Sequence, residues 1–227
     1  MKLISKVASL GLLIAFSQFA LAKSNGEPIR HIKTTEKVVA LTFDDGPDKP
    51  YTEQILAVLD KHNVKATFFV LGGNAKAYPE LIKKIMASGH DLGNHTMSHT
   101  QMKNKSVETM RNDIANVDVI LRNIGYKGEI TFRAPFGITS PNLKTALQQL
   151  DKRMVLFTFL PQDWTKISAD QIYANVMKQM KPGLIITLHD GGNRRENTVK
   201  ATEMLIQNLQ KQGYRFMTVS EILKLQN

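Results

Sequence analysis

From residue 38 to the end of the chain, short β-branched and aromatic runs alternate with amphipathic stretches, and no other feature of the 227 residues restricts the fold as tightly. Extended runs are predicted over residues 38–43, 66–70, 91–94, 131–133, 154–159, 184–189 and 215–218. Helices are predicted between them over 52–62, 79–88, 106–124, 140–150, 169–180 and 197–212, with a short last one ending near Leu225. Apolar residues three and four apart carry the helical reading: Ile55, Leu56 and Leu59 share one face, as do Leu81, Ile82, Ile85 and Met86. Ser106 with Glu108 behind it suits a helix start, and Gly213 suits a helix end. About seven strands alternating with helices imply a mainly parallel sheet, because each helix carries the chain back across it. This is a single α/β domain over residues 37–227, either a barrel or an open sheet.

Ahead of the domain, residues 1–22 read as a secretory leader. Lys2 and Lys6 give a basic start, residues 7–16 are mostly apolar, and Ala20-Leu21-Ala22 forms an A-x-A cleavage site. The apolar stretch is short for a membrane span. The expectation is therefore a monomeric periplasmic or secreted protein, cleaved near Ala22, with no stable membrane insertion; retention as an anchor is the alternative. Residues 23–36 read as a polar tether. The chain has no cysteine, which excludes a disulfide scaffold, a lipid-modified cysteine and thiolate ligands. Any metal must be held by His, Asp or Glu. The formal charge is +10, but Lys and Arg are spread along the chain without a basic run or interleaved aromatics. That pattern fits a solvated basic surface and argues against nucleic acid as a partner.

Five clusters could carry chemistry. In Leu41-Thr42-Phe43-Asp44-Asp45-Gly46-Pro47, two adjacent carboxylates end an extended run. Neighbouring strand residues point to opposite faces, so one acid could hold a metal while the other moves a proton. An ordinary turn uses the same residue types. In His95-Thr96-Met97-Ser98-His99, two histidines four apart would face the same way on a helical turn, close enough to share one ion. The glutamate of an H-E-x-x-H zinc protease is missing, and two solvated imidazoles are the plainer reading. Arg133-Ala134-Pro135-Phe136-Gly137 offers an arginine able to fix a carboxylate and a tight turn able to aim an N–H at an oxyanion; its plainer reading is a salt bridge beside a turn. Gln162-Asp163-Trp164 and Leu188-His189-Asp190-Gly191-Gly192 complete the set. There the plain readings are a core Trp164, a structural His189 and an Asp163 that caps the next turn.

All five clusters follow predicted strands, and parallel α/β folds gather their active-site loops at the C-terminal ends of strands. Residues with unrelated structural duties would scatter over both ends, so the shared location points to one active site. In order, TFDDGP, HTMSH, RAPFG, QDW and LHD resemble the motif series of the NodB-homology polysaccharide deacetylases, carbohydrate esterase family 4, over roughly residues 38–220. The resemblance implies a distorted (β/α)7 barrel of the NodB-homology type. It also implies a metal-dependent hydrolase removing N-acetyl groups from N-acetylhexosamine residues of an envelope or extracellular polysaccharide: peptidoglycan, a chitin-like polymer or an exopolysaccharide.

Residue by residue, the resemblance implies Asp44 as catalytic base and His189 as catalytic acid. Asp45, His95 and His99 would hold one divalent ion, zinc first, with cobalt, nickel or manganese as alternatives. Arg133 would orient the base, Asp163 would tune the acid, and Phe136 would offer its backbone N–H to the oxyanion. Trp164, Leu188 and Pro135 would touch substrate. Ala134 stands where the family often has Pro, Phe136 where Tyr is common, and Leu160 where an acid is frequent, so the substrate groove is expected to differ. His31, His62 and His90 fall outside the motifs. Two alternatives accompany this reading: an O-acetyl esterase of xylan type, and a catalytically silent glycan-binding protein.

Overall fold

The computed structural model describes residues 26–226; the leader expected over residues 1–22 lies outside the described residues. The elements are β1 (Pro28–Ile29), β2 (Val38–Asp44), α1 (Tyr51–Lys61), β3 (Thr67–Val70), α2 (Gly72–Ala77), α3 (Pro79–Ala87), β4 (Asp91–Asn94), α4 (Val107–Ile124), α5 (Pro141–Gln149), β5 (Met154–Val155), α6 (Ala169–Lys178), β6 (Leu184–His189), α7 (Glu196–Lys211), β7 (Arg215–Met217) and α8 (Val219–Ile222). Among the described residues no helix is long and apolar enough to cross a membrane.

β2 reads VVALTFD and is buried at every position, as a strand covered on both faces must be. β6 pairs with it from Val39↔Leu184 to Asp44↔His189. On the other edge β7 pairs with Val38–Ala40 and β3 with Thr42–Asp44. β4 follows β3, and all these ladders are parallel. Beyond β4 the sheet thins to one residue, Phe132, which bridges Asn94 on one side and Met154 on the other. β5 then pairs with β1, and His31 bridges back to Leu184 of β6. The ring is thus closed but irregular, the distorted barrel that the motifs imply.

Period-2 alternation divides the core. Val39, Leu41 and Phe43 of β2 pack outward with Ile186 and Leu188 of β6 against Ile55, Ile82, Leu121, Ile172 and Leu205 of the surrounding helices. Val38 and Ala40 face the interior with Phe69, Val155 and Ile185, closed below by Val219 and Ile222 of α8. Thr42 and Asp44 continue that inner row upward, so the register of one buried strand delivers Asp44 to the barrel mouth.

Three expectations are revised. Residues 131–133 form a bridge at Phe132 rather than a strand, since Pro135, which has no N–H, soon follows. The run expected over 154–159 stops at Val155, because its partner β1 has only two residues. Within the expected tether, residues 28–32 form part of the barrel wall: Ile32 is fully buried and its N–H donates to the Gly183 carbonyl at 3.0 Å. α2 was not predicted, because Gly72-Gly73 carries no apolar period; its first N–H groups are held by the carbonyls of Thr96 and Met97.

Candidate active site

Asp44 ends β2 beneath the barrel mouth, 2% exposed. Its Oδ1 accepts from Arg133 Nη1 at 2.7 Å. Arg133 is itself fully buried, donates to Thr42 Oγ1 at 2.7 Å and to the Val155 carbonyl at 3.1 Å, and stacks 3.9 Å from the Phe69 ring. The guanidinium is therefore fixed on three sides and holds Asp44 in one orientation. Burial raises the Asp44 carboxyl above its ordinary value, against the opposing pull of Arg133 and His189.

At Asp45 the chain leaves the strand with φ 74°. Asp45 Oδ1 lies 3.5 Å from His95 Nε2 and 3.5 Å from His99 Nε2, and it is buried without a hydrogen-bond partner. The three ligand atoms lie within 4.8 Å of one another. A buried carboxylate oxygen with no donor is costly as it stands, and two imidazole nitrogens converging on it complete an O,N,N donor set that fits a divalent cation. His95 Nδ1 donates to the Arg133 carbonyl at 2.8 Å. Burial lowers its pKa to about 3, so the ring is neutral and Nε2 keeps its lone pair for a ligand bond.

The histidines do not share the helical turn expected from their spacing. Thr96 and His99 are left-handed, φ 72° and 56°. This tight loop is braced from below: Asn94 Oδ1 accepts the Thr96 N–H at 3.0 Å, and Asp113 Oδ1 of α4 accepts the Met97 N–H at 3.0 Å. Asn94 is in turn held by Asp118 at 2.7 Å, which pairs with the buried Lys152 at 2.6 Å. Asp45, Thr96, His99, Phe136 and Gln162 are five of the seven described non-glycine residues with positive φ. Such conformations cost about 1–3 kcal/mol each and persist where the surroundings impose them; their concentration here marks a site.

Across the cavity His189 ends β6. Its Nδ1 donates to Asp163 Oδ1 at 2.9 Å, and its backbone N–H donates to Asp163 Oδ2 at 2.8 Å, where Thr198 Oγ1 also donates at 3.1 Å. Asp163 thus caps no turn; it is committed to His189. Burial disfavours charge on the imidazole, but Asp163, with Asp44 and Asp45 nearby, outweighs it and pushes the pKa up to about 9. Trp164 stands edge-on to His189 at 5.3 Å, and Phe136 edge-on to His99 at 4.4 Å.

Asp44, Asp45, His95, His99 and His189 share one cavity of about 440 Å³, whose wall also includes Phe136, Trp164 and Leu160. Phe136 and Trp164 are exposed at its rim. Arg133 and Asp163 sit behind the wall. Leu188 and Pro135, expected to touch substrate, are buried and do not line the cavity. Leu188 alternates with His189 and therefore packs outward against the helices. Asn94 and Asp113 escaped the sequence reading, and Asp190, the last residue of LHD, has no role there; Asn94 stands beside His95, but Asp113 carries no local signal.

A family model described as polysaccharide deacetylase matches residues 31–155. The chain is 38% identical over 195 residues to a peptidoglycan-N-acetylglucosamine deacetylase of Bacillus cereus, covering 85% of this chain and 91% of that protein. It superimposes on the crystal structure of the Bc1960 peptidoglycan N-acetylglucosamine deacetylase with TM-score 0.82 at 34% identity, covering 85% and 91% of the two chains. A family 4 acetyl xylan esterase from Clostridium thermocellum, solved with a cobalt ion, gives TM-score 0.77 at 35% identity over 83% and 91%. With more than half of the chain matched by the family model, and nearly the whole barrel by the Bacillus cereus relative, the chain belongs to the polysaccharide deacetylase family.

Proposed function

We propose that the protein is an exported metal-dependent N-deacetylase acting on N-acetylhexosamine residues of peptidoglycan or a closely similar glycan. The observation that carries this is the pairing of two ionisable groups in unlike environments: Asp44 held by Arg133, and His189 held by Asp163, flanking the Asp45, His95 and His99 cluster in one cavity. Groups pushed to different proton affinities divide acid and base duties.

Asp45, His95 and His99 would hold a divalent ion, which when bound would supply polarisation of the substrate carbonyl and acidification of water. Zinc suits a borderline O,N,N set, and the cobalt of the Clostridium relative suits the same donors. Arg133 occupies one oxygen of Asp44, which leaves the other to take a proton from the attacking water. Phe136, at φ 60°, turns its peptide so that the N–H serves the developing oxyanion. His189 gives its proton to the departing nitrogen. An amine is a poor leaving group without that proton, and an imidazole protonated to about pH 9 suits N-acetyl substrates better than O-acetyl ones. Export is supported by the basic start, apolar run and A-x-A site of residues 1–22.

The test is acetate release from peptidoglycan, chitooligosaccharides and acetylated xylan by metal-stripped and zinc- or cobalt-restored protein. Metal-dependent release from the first two is expected. Asp44→Asn should lose activity while keeping the metal, and Asp45→Ala should lose both. Acetate from xylan alone would make the protein an O-esterase, and none from any substrate would leave the glycan-binding reading.

A further inference from the structure

One peptide group in the site is gripped from both sides. The carbonyl of Asp45 accepts from Asn74 Nδ2 of α2 at 2.8 Å. The N–H of Gly46, in the same peptide plane, donates to Asp190 Oδ1 at 3.2 Å. Asp190 is fully buried just beyond β6, and its other oxygen accepts from Thr52 Oγ1 at 2.6 Å. Thr52 Oγ1 in turn accepts the Asp48 N–H at 2.8 Å, so the carboxylate is tied into α1 as well. The Asp190 N–H donates to the Asp44 carbonyl at 3.0 Å. The fit is close enough that a Cβ on Gly46 would stand 2.1 Å from Asp190 Oδ2.

These contacts surround a residue at φ 74°. Left free, a non-glycine residue relaxes out of that region, and the rotation would swing the Asp45 carboxylate off the line to His95 and His99. We infer that Asp190 and Asn74 form a clamp on the Asp45–Gly46 peptide that aims the Asp45 carboxylate at the two histidines. They are positioning residues for the metal site, and the inference rests on reading Asp45 as a ligand. Neither touches the ligand atoms. Their effect is on the backbone from which the ligand projects, and such outer partners change metal affinity by about 10–100-fold when lost.

Asp190→Asn keeps the volume but has one oxygen for two donors, and its amide must face either the Gly46 N–H or the Thr52 hydroxyl. Asn74→Ala removes the carbonyl's donor at a half-buried position outside the core. Zn2+ affinity is measured by chelator competition on metal-stripped full-length protein, with the visible absorption of the Co2+ form as a report on ligand geometry. Asp190→Asn and Asn74→Ala should each weaken Zn2+ by about 10–100-fold and alter the Co2+ spectrum. The metal-free melting temperature of Asn74→Ala should stay near that of the parent. Parent-like affinity and spectrum in both variants, with binding lost in Asp45→Ala, overturn the clamp alone. Parent-like Zn2+ affinity in Asp45→Ala overturns the ligand reading itself. Should Asp190→Asn fail to fold, Asn74→Ala decides by the same two readouts.

Discussion

Asp163→Asn tests the division of acid and base most directly. The carboxylate accepts from both the ring and the backbone of His189 and from Thr198, and it is the largest influence raising the imidazole from 6.5 to about 9. The amide preserves shape, but it removes the negative charge and offers one acceptor where three donors converge. If its oxygen keeps the two donors on the Oδ2 side, its NH2 faces His189 Nδ1 and favours the neutral ring. Burial, the largest single influence against the charge, is then opposed only by Asp44 and Asp45, and the pKa falls toward about 6.5. At pH 8 the protonated fraction of His189 drops from ~0.9 to ~0.03, so kcat on an N-acetyl substrate should fall ~30-fold there and far less at pH 6. The assay is a pH–rate profile of the zinc-loaded enzyme on chitooligosaccharide, whose alkaline limb should move from near pH 9 toward about 6.5. Stability gives a second readout. A histidine raised in the folded state stabilises fully below its unfolded pKa of about 6.5, and that contribution is lost as pH rises through about 9. The parent should therefore lose up to about 3 kcal/mol across that window, and the variant should not. An alkaline limb unmoved by Asp163→Asn would refute the reasoning.

Arg133→Met should leave Asp44 buried with its main partner gone and cost about 3–5 kcal/mol at pH 7.5 by urea denaturation; the loss should shrink as pH falls, because a protonated Asp44 needs no cation, and an unshifted midpoint would contradict the buried pair. Ser106→Ala removes the side chain that caps α4 by accepting the Thr109 N–H at 3.1 Å. About 1 kcal/mol of stability should go with it, while kcat on the loaded enzyme holds; a cost near zero would mean the cap is replaced by water.

The strand ends were legible because apolar runs broken by Asp, Gly or Pro announce themselves locally. β2 and β6 fall within a residue of expectation, and with them Asp44 and His189. The faces of those strands were not legible. VVALTFD and LIITLH are apolar on both sides, so nothing local says that Asp44 looks inward or that Leu188 looks out to the helices. β1 is held by a partner more than a hundred residues away in the chain, and the Phe132 bridge by two partners about twenty and about forty residues away; a two-residue strand has no period to detect. The two histidines converge on Asp45, but not through a helical turn. Spacing of four suggested a helical turn, whereas Asn94 and Asp113 take the turn's N–H groups and stabilise two left-handed residues instead.

That substitution of remote acceptors for local propensity explains how two adjacent aspartates acquire unlike chemistry. Asp44 keeps strand geometry, so its environment is set by the inner row of β2 and by the cation that the 133 loop drives into the barrel. One residue later the backbone turns left-handed, and Asp45 projects toward a second loop, leaving Oδ1 without a donor. The pair differs by one φ angle, and that angle is set by groups on α1, α2 and the end of β6 rather than by the DDGP residues themselves. A barrel in which three separate elements must close correctly to turn one peptide makes the proposed ligand set a consequence of global folding. A packing defect at any of those elements should therefore weaken metal binding, in the way outer partners and ligands are coupled wherever a site is built on imposed strain.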